Sequence, residues 1–290
     1  MEKKNKTYLP RFKRAEDKPA LKIQPRDIEI LRLVYEYRFL TTSQVLLLIP
    51  GSLRVILLRL QKLFHNGYLD RLTTDLSKEN IYALGNKGAD ILAEYSDIDR
   101  GKIDWTWKNR KNRKPNRNHT LMISNFRIAL SIALKAAPAQ FHVWVPEGDS
   151  LRDAVFVDQG QKKVRIPFAP DAYFSLTDGN DYLNFFLEAD QSTMTNERFL
   201  HKMQGYWNFY VQGKHQQKFG IDSFRVLTVT KSKMRAENLR RVAKKADDKQ
   251  MGSVMFWFTS EENYNPEKPE TVLQPIWHTP KDATLHHLLE

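Results

Sequence analysis

Residues 169–210 read APDAYFSLTDGNDYLNFFLEADQSTMTNERFLHKMQGYWNFY, and this stretch decides how the C-terminal part of the chain folds. It contains two short strand patterns, over residues 171–176 and 182–187, and a helical pattern follows from about residue 196. A tight hairpin between the two strands would bring their ends together. We therefore expect three carboxylates to lie close to one another: those of Asp171, Glu188 and Asp190.

Carboxylates held this close repel one another unless a cation or hydrogen-bond donors compensate them. A divalent metal bound through oxygen ligands is one such compensator, and a metal held by carboxylates serves phosphodiester hydrolysis. The pattern thus indicates a site in which Asp171, Glu188 and Asp190 bind Mg²⁺ or Mn²⁺. The alternative interpretation is that they are ordinary surface carboxylates at strand ends.

Residues in and before this stretch resemble the replication-relaxation family. The resemblance covers roughly residues 25–260 and is carried by His119, Pro170-Asp171, Phe186-Leu187-Glu188-Ala189-Asp190, Thr193, Lys202 and Tyr206. It implies an α/β fold (α+β overall), in which an N-terminal winged helix-turn-helix is followed by a restriction-endonuclease-like αβββαβ domain of the PD-(D/E)XK type.

The resemblance also implies roles for individual residues. Asp171, Glu188 and Asp190 would be catalytic and would ligate the metal. Where an active nuclease of this superfamily has Glu-X-Lys, this chain has Glu188-Ala189-Asp190. Lys202 would then supply the missing charge from the following helix as a catalytic residue, or it is an ordinary solvated lysine. Three further residues are expected to support the site: His119, Gln191 and Tyr206. The alternatives are a helix cap or structural donor for His119 and a core position for Tyr206.

The composition excludes several classes of protein. A chain of 290 residues is long enough for two domains, and 41% apolar residues with 11% aromatics support hydrophobic cores. The absence of cysteine excludes disulfides and thiolate metal sites. The N-terminus has no apolar signal region, and no run of ~18 apolar residues predicts a membrane span. We expect a cytoplasmic protein without membrane contacts.

Positive charge is concentrated in the first part of the chain. Residues 1–120 contain 25 Lys and Arg against 14 Asp and Glu, a net charge of +11, whereas residues 121–290 contain 21 against 20, a net charge of +1. A basic half predicts a polyanionic partner. Double-stranded DNA is the expected partner because neutralised phosphates release counterions.

The N-terminal part shows the element order of a winged helix-turn-helix domain. Residues 1–22 are basic and aperiodic, and we expect a disordered arm there. Residues 23–98 contain three helical patterns, two strand patterns and a last helix. The helices begin at Pro25, after a cap at Thr41 or Thr42, and at Leu53; the wing strands cover residues 68–72 and 80–84, and the last helix covers Asn86–Tyr95.

The third helix is expected to enter the major groove of DNA. Its predicted buried side contains Leu53, Ile56, Leu57, Leu60, Leu63 and Phe64. The stripe predicted to face DNA contains Arg54, Leu58, Arg59 and Lys62, with Ser52 nearby. Arg54 is the best candidate for a base contact, and Leu58 indicates either a dimer contact or a thymine methyl contact.

Phosphate contacts are expected from the wing and from a basic linker. Arg71 and Lys78 of the wing would contact flanking phosphates. Residues 99–118 form the linker, in which six of the ten residues from 108 to 117 are basic and none is acidic, so the segment is predicted to stay extended. Its candidate phosphate contacts are Lys108, Arg110, Lys111, Arg113, Lys114 and Arg117. The alternative interpretation of this charged surface is a solvated face on a protein-binding winged helix.

Residues 119–262 are predicted to form the nuclease-like domain. A long helix begins at His119 and ends before Pro138. Strand patterns follow at residues 141–145, 155–157 and 163–168. With the later patterns the order becomes αβββαβαβ, counting short strands loosely, which favours an α/β sheet. Residues 263–290 form a C-terminal extension to which the sequence assigns no role.

Two functional hypotheses result. The first is a DNA-binding protein of a plasmid, phage or other mobile element, with a role in replication, relaxation or regulation and a nuclease-like domain that has lost cleavage activity. The second is a Mg²⁺- or Mn²⁺-dependent endonuclease or nickase that the winged helix directs to a site. A purely protein-binding adaptor would explain the fold but not the basic half. A homodimer and contacts with other replication or mobilisation proteins are further expectations.

Overall fold

The computed structural model describes residues 9–72, 77–96, 98–103, 114–160 and 162–290, with the backbone alone at 102, 114, 115 and 159. The chain divides into two compact units, Met1–Asn125 and Phe126–Glu290. No described helix is both long enough and apolar enough to cross a bilayer.

The N-terminal unit has the predicted order of three helices followed by a two-stranded hairpin. Its elements are α1 (Pro25–Tyr37), β1 (Leu40–Thr41), α2 (Thr42–Leu48), α3 (Leu53–Asn66), β2 (Leu69–Arg71), β3 (Ile81–Leu84) and α4 (Asn86–Tyr95). The strands form an antiparallel sheet in the order β1-β3-β2. The two-residue strand β1 was not predicted, because it is too short to leave a periodic pattern.

Local sequence signals set the ends of these helices. The N–H of Gln44 donates to Thr41 Oγ1 at 3.3 Å, and Gln44 Oε1 accepts from the N–H of Thr41 at 2.8 Å, a reciprocal cap at the start of α2. Ser52 caps α3 by accepting the N–H of Val55 at 3.4 Å. The helix α3 ends at Gly67, whose φ of 86° is the left-handed conformation that glycine adopts without strain.

The described residues of the predicted N-terminal arm are held against the unit, which corrects that prediction for residues 9–22. Arg14 Nη2 forms an ion pair with Asp70 Oδ1 at 2.6 Å, and the N–H of Ala15 donates to His65 Nδ1 at 3.1 Å. Asn66 Nδ2 donates to the carbonyl of Pro19 at 2.9 Å. The segment is ordered because it satisfies polar groups at the end of α3 and on β2 that a free arm would leave unpaired.

The helix α5 (Lys114–Ala133) begins before the predicted start at His119. Residues 114–118, which were expected to belong to an extended linker, therefore form its first turn. The Lys-Pro pair at its start is compatible with a helix because proline is tolerated in the first turn, where its missing N–H has no partner to lose.

The C-terminal unit contains a seven-stranded mixed sheet and a separate hairpin. Its further elements are β4 (Gln140–Pro146), β5 (Asp153–Gln159), β6 (Lys162–Phe168), β7 (Ala172–Thr177), β8 (Tyr182–Asp190), α6 (Asn196–Val211), α7 (Lys214–Phe219), β9 (Arg225–Thr230), α8 (Lys233–Ala243), β10 (Phe256–Ser260), β11 (Trp277–His278) and β12 (Leu285–His286). The sheet order is β12-β11-β10-β9-β8-β7-β4.

The order of the central elements is the predicted αβββαβ core. The strands β4, β7 and β8 are antiparallel neighbours, α6 follows, and β9 returns parallel to β8. The strands β5 and β6 pair only with each other, so the strand patterns predicted there belong to an inserted hairpin and not to the main sheet. The fold is therefore α/β, as predicted.

Both faces of the central strands are buried, which explains their nearly continuous apolar sequences. On one face Phe186, Val226 and Phe256 form a core with side chains of α6 and α8. On the other face Phe126 of α5 packs edge-on against Trp277, with ring centroids 6.1 Å apart. The C-terminal extension thus supplies a fully buried tryptophan to the unit.

Candidate functional site

Asp171 is fixed at the carboxyl end of β8. It directly precedes β7, and its N–H donates to the carbonyl of Leu187 at 3.1 Å. Its Oδ2 accepts the N–H of Ala189 at 2.8 Å. The strand pairing therefore places the Asp171 carboxylate beside Glu188, as the hairpin pattern predicted.

Glu188 is buried, and both of its carboxylate oxygens are engaged. Lys202 Nζ donates to Oε2, and the hydroxyl of Tyr206 donates to Oε1. Lys202 and Tyr206 lie one turn apart on α6, so they project from the same side of the helix. The sequence spacing of four residues is what brings both donors to one carboxylate.

The electrostatics of this cluster are those of a buried site. Burial raises the pKa of Glu188 to about 7; Lys202 opposes this shift and Asp171 adds to it. Burial alone would lower the pKa of Lys202, but Glu188 and Asp171 raise it above its usual value. Burial, together with Glu188, raises the pKa of Tyr206, so its hydroxyl stays protonated and donates.

Asp190 is engaged by a different helix. Arg235 of α8 binds it in a bidentate way, with Nε 2.7 Å from Oδ2 and Nη2 3.2 Å from Oδ1. The N–H of Ser192 also donates to Asp190 Oδ2 at 3.1 Å. Alternate residues of a strand point to the same face, so Glu188 and Asp190 share a face of β8 but have separate cationic partners.

The carboxylate oxygens that would bind a divalent metal are engaged by other side chains. Within the described residues, no group of three or more His, Asp or Glu side chains converges. Lys202 and Tyr206 occupy the oxygens of Glu188, and Arg235 occupies those of Asp190. A metal would have to replace these donors, so the metal role of Asp171, Glu188 and Asp190 stays a prediction.

The three residues expected to support the site lie in different places. Tyr206 contacts Glu188 directly. Gln191 immediately follows β8 and is half-buried. His119 is half-buried in α5, in the N-terminal unit.

The stripe of α3 that was predicted to face DNA contains two arginines, one exposed and one buried. Arg54 is exposed in the first turn. Arg59 is 8% exposed, and its Nε donates to Asp27 Oδ1 at 2.7 Å while its Nη2 donates to the carbonyl of Lys22 at 2.9 Å. The prediction that Arg59 faces DNA is therefore wrong, because its guanidinium neutralises the fully buried Asp27.

The apolar side of α3 is also narrower than predicted. Ile56, Leu60, Leu63 and Phe64 are buried, whereas Leu53 and Leu57 are 56% and 40% exposed. Arg59 takes the place of Leu57 on the buried side because Asp27 of α1 requires a cationic partner. Leu53, Leu57, Leu58 and Val55 thus lie on the exposed side of α3 with Arg54.

The other candidate DNA contacts have varied surroundings. Ser52 caps α3, Lys62 is half-buried and Lys78 is exposed. The guanidinium of Arg71 lies 4.3 Å from the Phe64 ring centre and donates to the carbonyl of Arg11, so it packs on α3.

In the linker, Arg117 Nη1 donates to the carbonyl of Leu72 at 2.8 Å. Lys108, Arg110, Lys111, Arg113 and the side chain of Lys114 lie outside the described residues.

Sequence reasoning missed Arg235 and Asp27. Arg235 is 45 residues from Asp190, and no periodicity links them. A local signal existed for Asp27, which occupies the third position of α1 and accepts the N–H of Gln24 at 2.8 Å, as a capping residue does. That signal does not reveal its second role as the partner of Arg59.

Comparisons with known proteins agree with the resemblance found in the sequence. A family model described as replication-relaxation matches residues 31–223. A comparison with curated proteins found no match. Among solved structures, the restriction endonuclease FokI is similar with a TM-score of 0.25 and 10% identity, over 76% of this chain and 40% of that protein. The chain thus spans 40% of the length of that enzyme. Because the family match covers more than half of the 290 residues, the chain belongs to the replication-relaxation family.

Proposed function

We propose that the protein is a sequence-specific DNA-binding protein of a plasmid, phage or other mobile element, with a role in DNA replication, relaxation or their regulation. We further propose that its nuclease-like domain does not cleave DNA. The family description and the net charge of +11 in residues 1–120 support a DNA partner. Binding to plasmid DNA would place the protein in the cytoplasm.

The observation that carries this proposal is the exposure of Arg54 in the first turn of α3. In helix-turn-helix proteins the N-terminal residues of this helix contact base edges in the major groove. The sequence of α3 contains no acidic residue, so nothing in the helix itself would repel phosphates. An arginine in this place can bind O6 and N7 of guanine together.

The aliphatic residues beside Arg54 support two further contacts. Leu57 and Leu58 are exposed on the same part of α3, at 40% and 48%. In a major groove they would meet thymine methyl groups. If DNA covers only part of this surface, the rest suits a second copy of the chain, and we include a homodimer and other replication or mobilisation proteins among the proposed partners.

The surroundings of Glu188 support the absence of cleavage. Lys202 and Tyr206 engage both of its oxygens, and Arg235 engages those of Asp190. Cleavage by a metal-dependent site requires carboxylates that can bind the metal. In this protein side chains of the chain itself engage those carboxylates instead.

Selection of bound sequences from a pool of randomised DNA duplexes tests whether α3 recognises a DNA sequence. The full-length protein is expected to enrich a defined sequence. Arg54→Ala should lose preference at one base pair and weaken binding to the selected site by ~1–3 kcal/mol, the value of a bidentate base contact. Lys62→Ala serves as the contrast, because a phosphate contact changes affinity for all sequences alike. An unchanged preference in Arg54→Ala would remove this residue from the reading surface.

A second candidate function is a Mg²⁺- or Mn²⁺-dependent endonuclease or nickase. The observation that favours it is the meeting of Asp171, Glu188 and Lys202 at one end of the sheet. These are the residue types that the resemblance assigns to catalysis, although Lys202 comes from α6 and not from the Glu-X-Lys position. Nicking of supercoiled plasmid by the wild type, lost in Glu188→Ala, would support this candidate.

A further inference from the structure

The C-terminal part of the chain is nearly neutral overall but contains a strongly basic segment. Residues 231–249, which contain α8 and the turn after it, have eight Lys and Arg against three Asp and Glu, a net charge of +5. The remaining residues of 121–290 have 13 against 17, a net charge of −4. The net charge of residues 121–290 is therefore small because a basic segment and an acidic remainder cancel. The basic segment gives this part of the chain a charged surface.

The exposed basic side chains lie on α8 and in the residues before and after it. The inner side of α8 is buried through Ala236, Leu239 and Ala243. Six cationic side chains of the segment are exposed, and we call them the α8 basic surface: Lys231, Lys233, Arg241, Lys244, Lys245 and Lys249.

The three acidic residues of the segment neutralise only part of this surface, and one of them, Asp248, is exposed beside Lys249. Arg240 and Arg241 bind Glu237 from the same helix. The carboxylate of Asp247 accepts backbone N–H groups, including that of Gly252 at 2.7 Å. Within the described part of the chain, Lys233, Lys244 and Lys245 form no ion pair.

The helix that carries this surface is rigidly held. Ser232 caps α8 by accepting the N–H of Arg235 at 3.3 Å. Arg235, in the first turn of α8, forms an ion pair with Asp190. Arg240 Nη1 donates to the carbonyl of Thr279 at 3.0 Å. A fixed helix presents its charges without an added ordering cost on binding.

The surface begins at the same end of the sheet as the Glu188 cluster. The strands β8 and β9 are parallel, and Asp190 is paired with Thr230 at their carboxyl ends. Lys231 directly follows β9, and α8 begins two residues later. The start of the α8 basic surface therefore lies close to Asp190.

We propose that the α8 basic surface binds the phosphate backbone of duplex DNA, a contact that rests on the proposed function and adds a second attachment in the C-terminal unit. Lysines are mobile point charges, suited to phosphates more than to base edges, so the contact is independent of sequence. A lipid surface fits less well, because the large apolar side chain that α8 exposes is Met234 alone.

The salt dependence of duplex binding by the full-length protein tests this contact. The variant Lys233→Gln/Lys244→Gln/Lys245→Gln removes three exposed charges from the α8 basic surface. The control Lys162→Gln/Lys163→Gln/Arg165→Gln removes three exposed charges from β6 in the same unit. Each phosphate contact adds ~0.9 to the slope of log K against log salt. We expect the α8 variant to have a slope shallower by about 2 to 3, and the control to match the wild type.

The outcomes separate this inference from the proposed function. Equal slopes in the α8 variant and its control would overturn the α8 contact, while sequence enrichment that depends on Arg54 would leave the proposed function standing. A wild type that binds no duplex would overturn both. Loss of binding to anionic vesicles in the α8 variant, with an unchanged DNA slope, would show that the surface binds lipid instead. Equal thermal midpoints of all three proteins would establish that the variants are folded.

Discussion

Arg54 and Arg59 lie on the same helix, but only one of them is placed to meet a ligand. Arg54 is exposed, whereas the guanidinium of Arg59 is buried against Asp27. Breaking such a buried pair leaves an uncompensated charge and typically costs ~3–5 kcal/mol. Arg59 therefore stabilises the N-terminal unit, and the proposed DNA-reading role rests on Arg54.

Helical spacing could predict that both arginines lie on α3 but not which one is buried. That outcome depends on Asp27, which lies 32 residues earlier in the chain. The same limit applies to Asp190, whose partner Arg235 belongs to another helix. By contrast, the resemblance implied that Lys202 and Tyr206 of one helix flank the carboxylate site, and both contact Glu188.

The raised pKa of Glu188 makes stability depend on pH. In the folded chain the Glu188 carboxyl keeps its proton up to a pH of about 7, whereas a glutamate with the usual pKa of 4.5 loses it at lower pH. Between these values the folded state binds more protons, so the free energy of unfolding falls as the pH rises. At ~1.4 kcal/mol per pKa unit, the decrease is about 3 kcal/mol.

Glu188→Gln removes this titration and tests the sign of the effect. We expect the free energy of unfolding of the wild type, relative to Glu188→Gln, to decrease between pH 4.5 and about 7 and to level off above the raised pKa. Urea denaturation across this range measures the difference. Parallel stability curves for the two proteins would mean that Glu188 is not buried in the manner described.

At the scale of elements, periodicity predicted the order of helices and strands but not all of their pairings. The strands β7 and β8 were predicted as neighbours because a short hairpin joins them. The hairpin of β5 and β6 was assigned to the main sheet, since its residues alternate like those of any strand. Which strands share a sheet is decided by distant partners, and this information is absent from a local window.

The close packing of α6 on β6 gives a prediction at this scale. Gly205 lies between Lys202 and Tyr206, and a Cβ at this position would lie 3.0 Å from Ile166 Cγ2 and 3.2 Å from the carbonyl oxygen of Pro167. Gly205→Val should force α6 away from β6 and lower the free energy of unfolding by ~1–3 kcal/mol, the usual cost of overpacking.

Chemical denaturation measures this effect, with Gln204→Val as the control. Gln204 is half-buried on the same helix, so valine there meets no comparable obstruction. A Gly205→Val protein as stable as the control would show that α6 does not lie as close to β6 as described.

At the scale of the whole chain, the charge distribution was only partly predictable. Counting residues located the excess of positive charge in residues 1–120. The same count did not reveal the basic segment at 231–249, because acidic residues elsewhere in 121–290 cancel its charge. The structure distinguishes the segment because its exposed cations lie on α8 and in the residues that flank it. Each unit thus has its own candidate DNA surface, α3 in the first and α8 in the second.

The central claim is that this protein binds DNA while the carboxylates of its nuclease-like domain are engaged by its own side chains. Lys202, Tyr206 and Arg235 make these contacts. The claim therefore joins two expectations, a stable complex with DNA and an uncut DNA strand, and one experiment can observe both.

Incubation of the full-length protein with supercoiled plasmid, in Mg²⁺ and separately in Mn²⁺, is the most direct test. Electrophoresis before and after removal of the protein reports binding and strand cleavage on the same sample. We predict a retarded complex from which intact supercoiled plasmid is recovered. Nicked or linear plasmid produced by the wild type, and not by an identically prepared Glu188→Ala protein, would contradict the account.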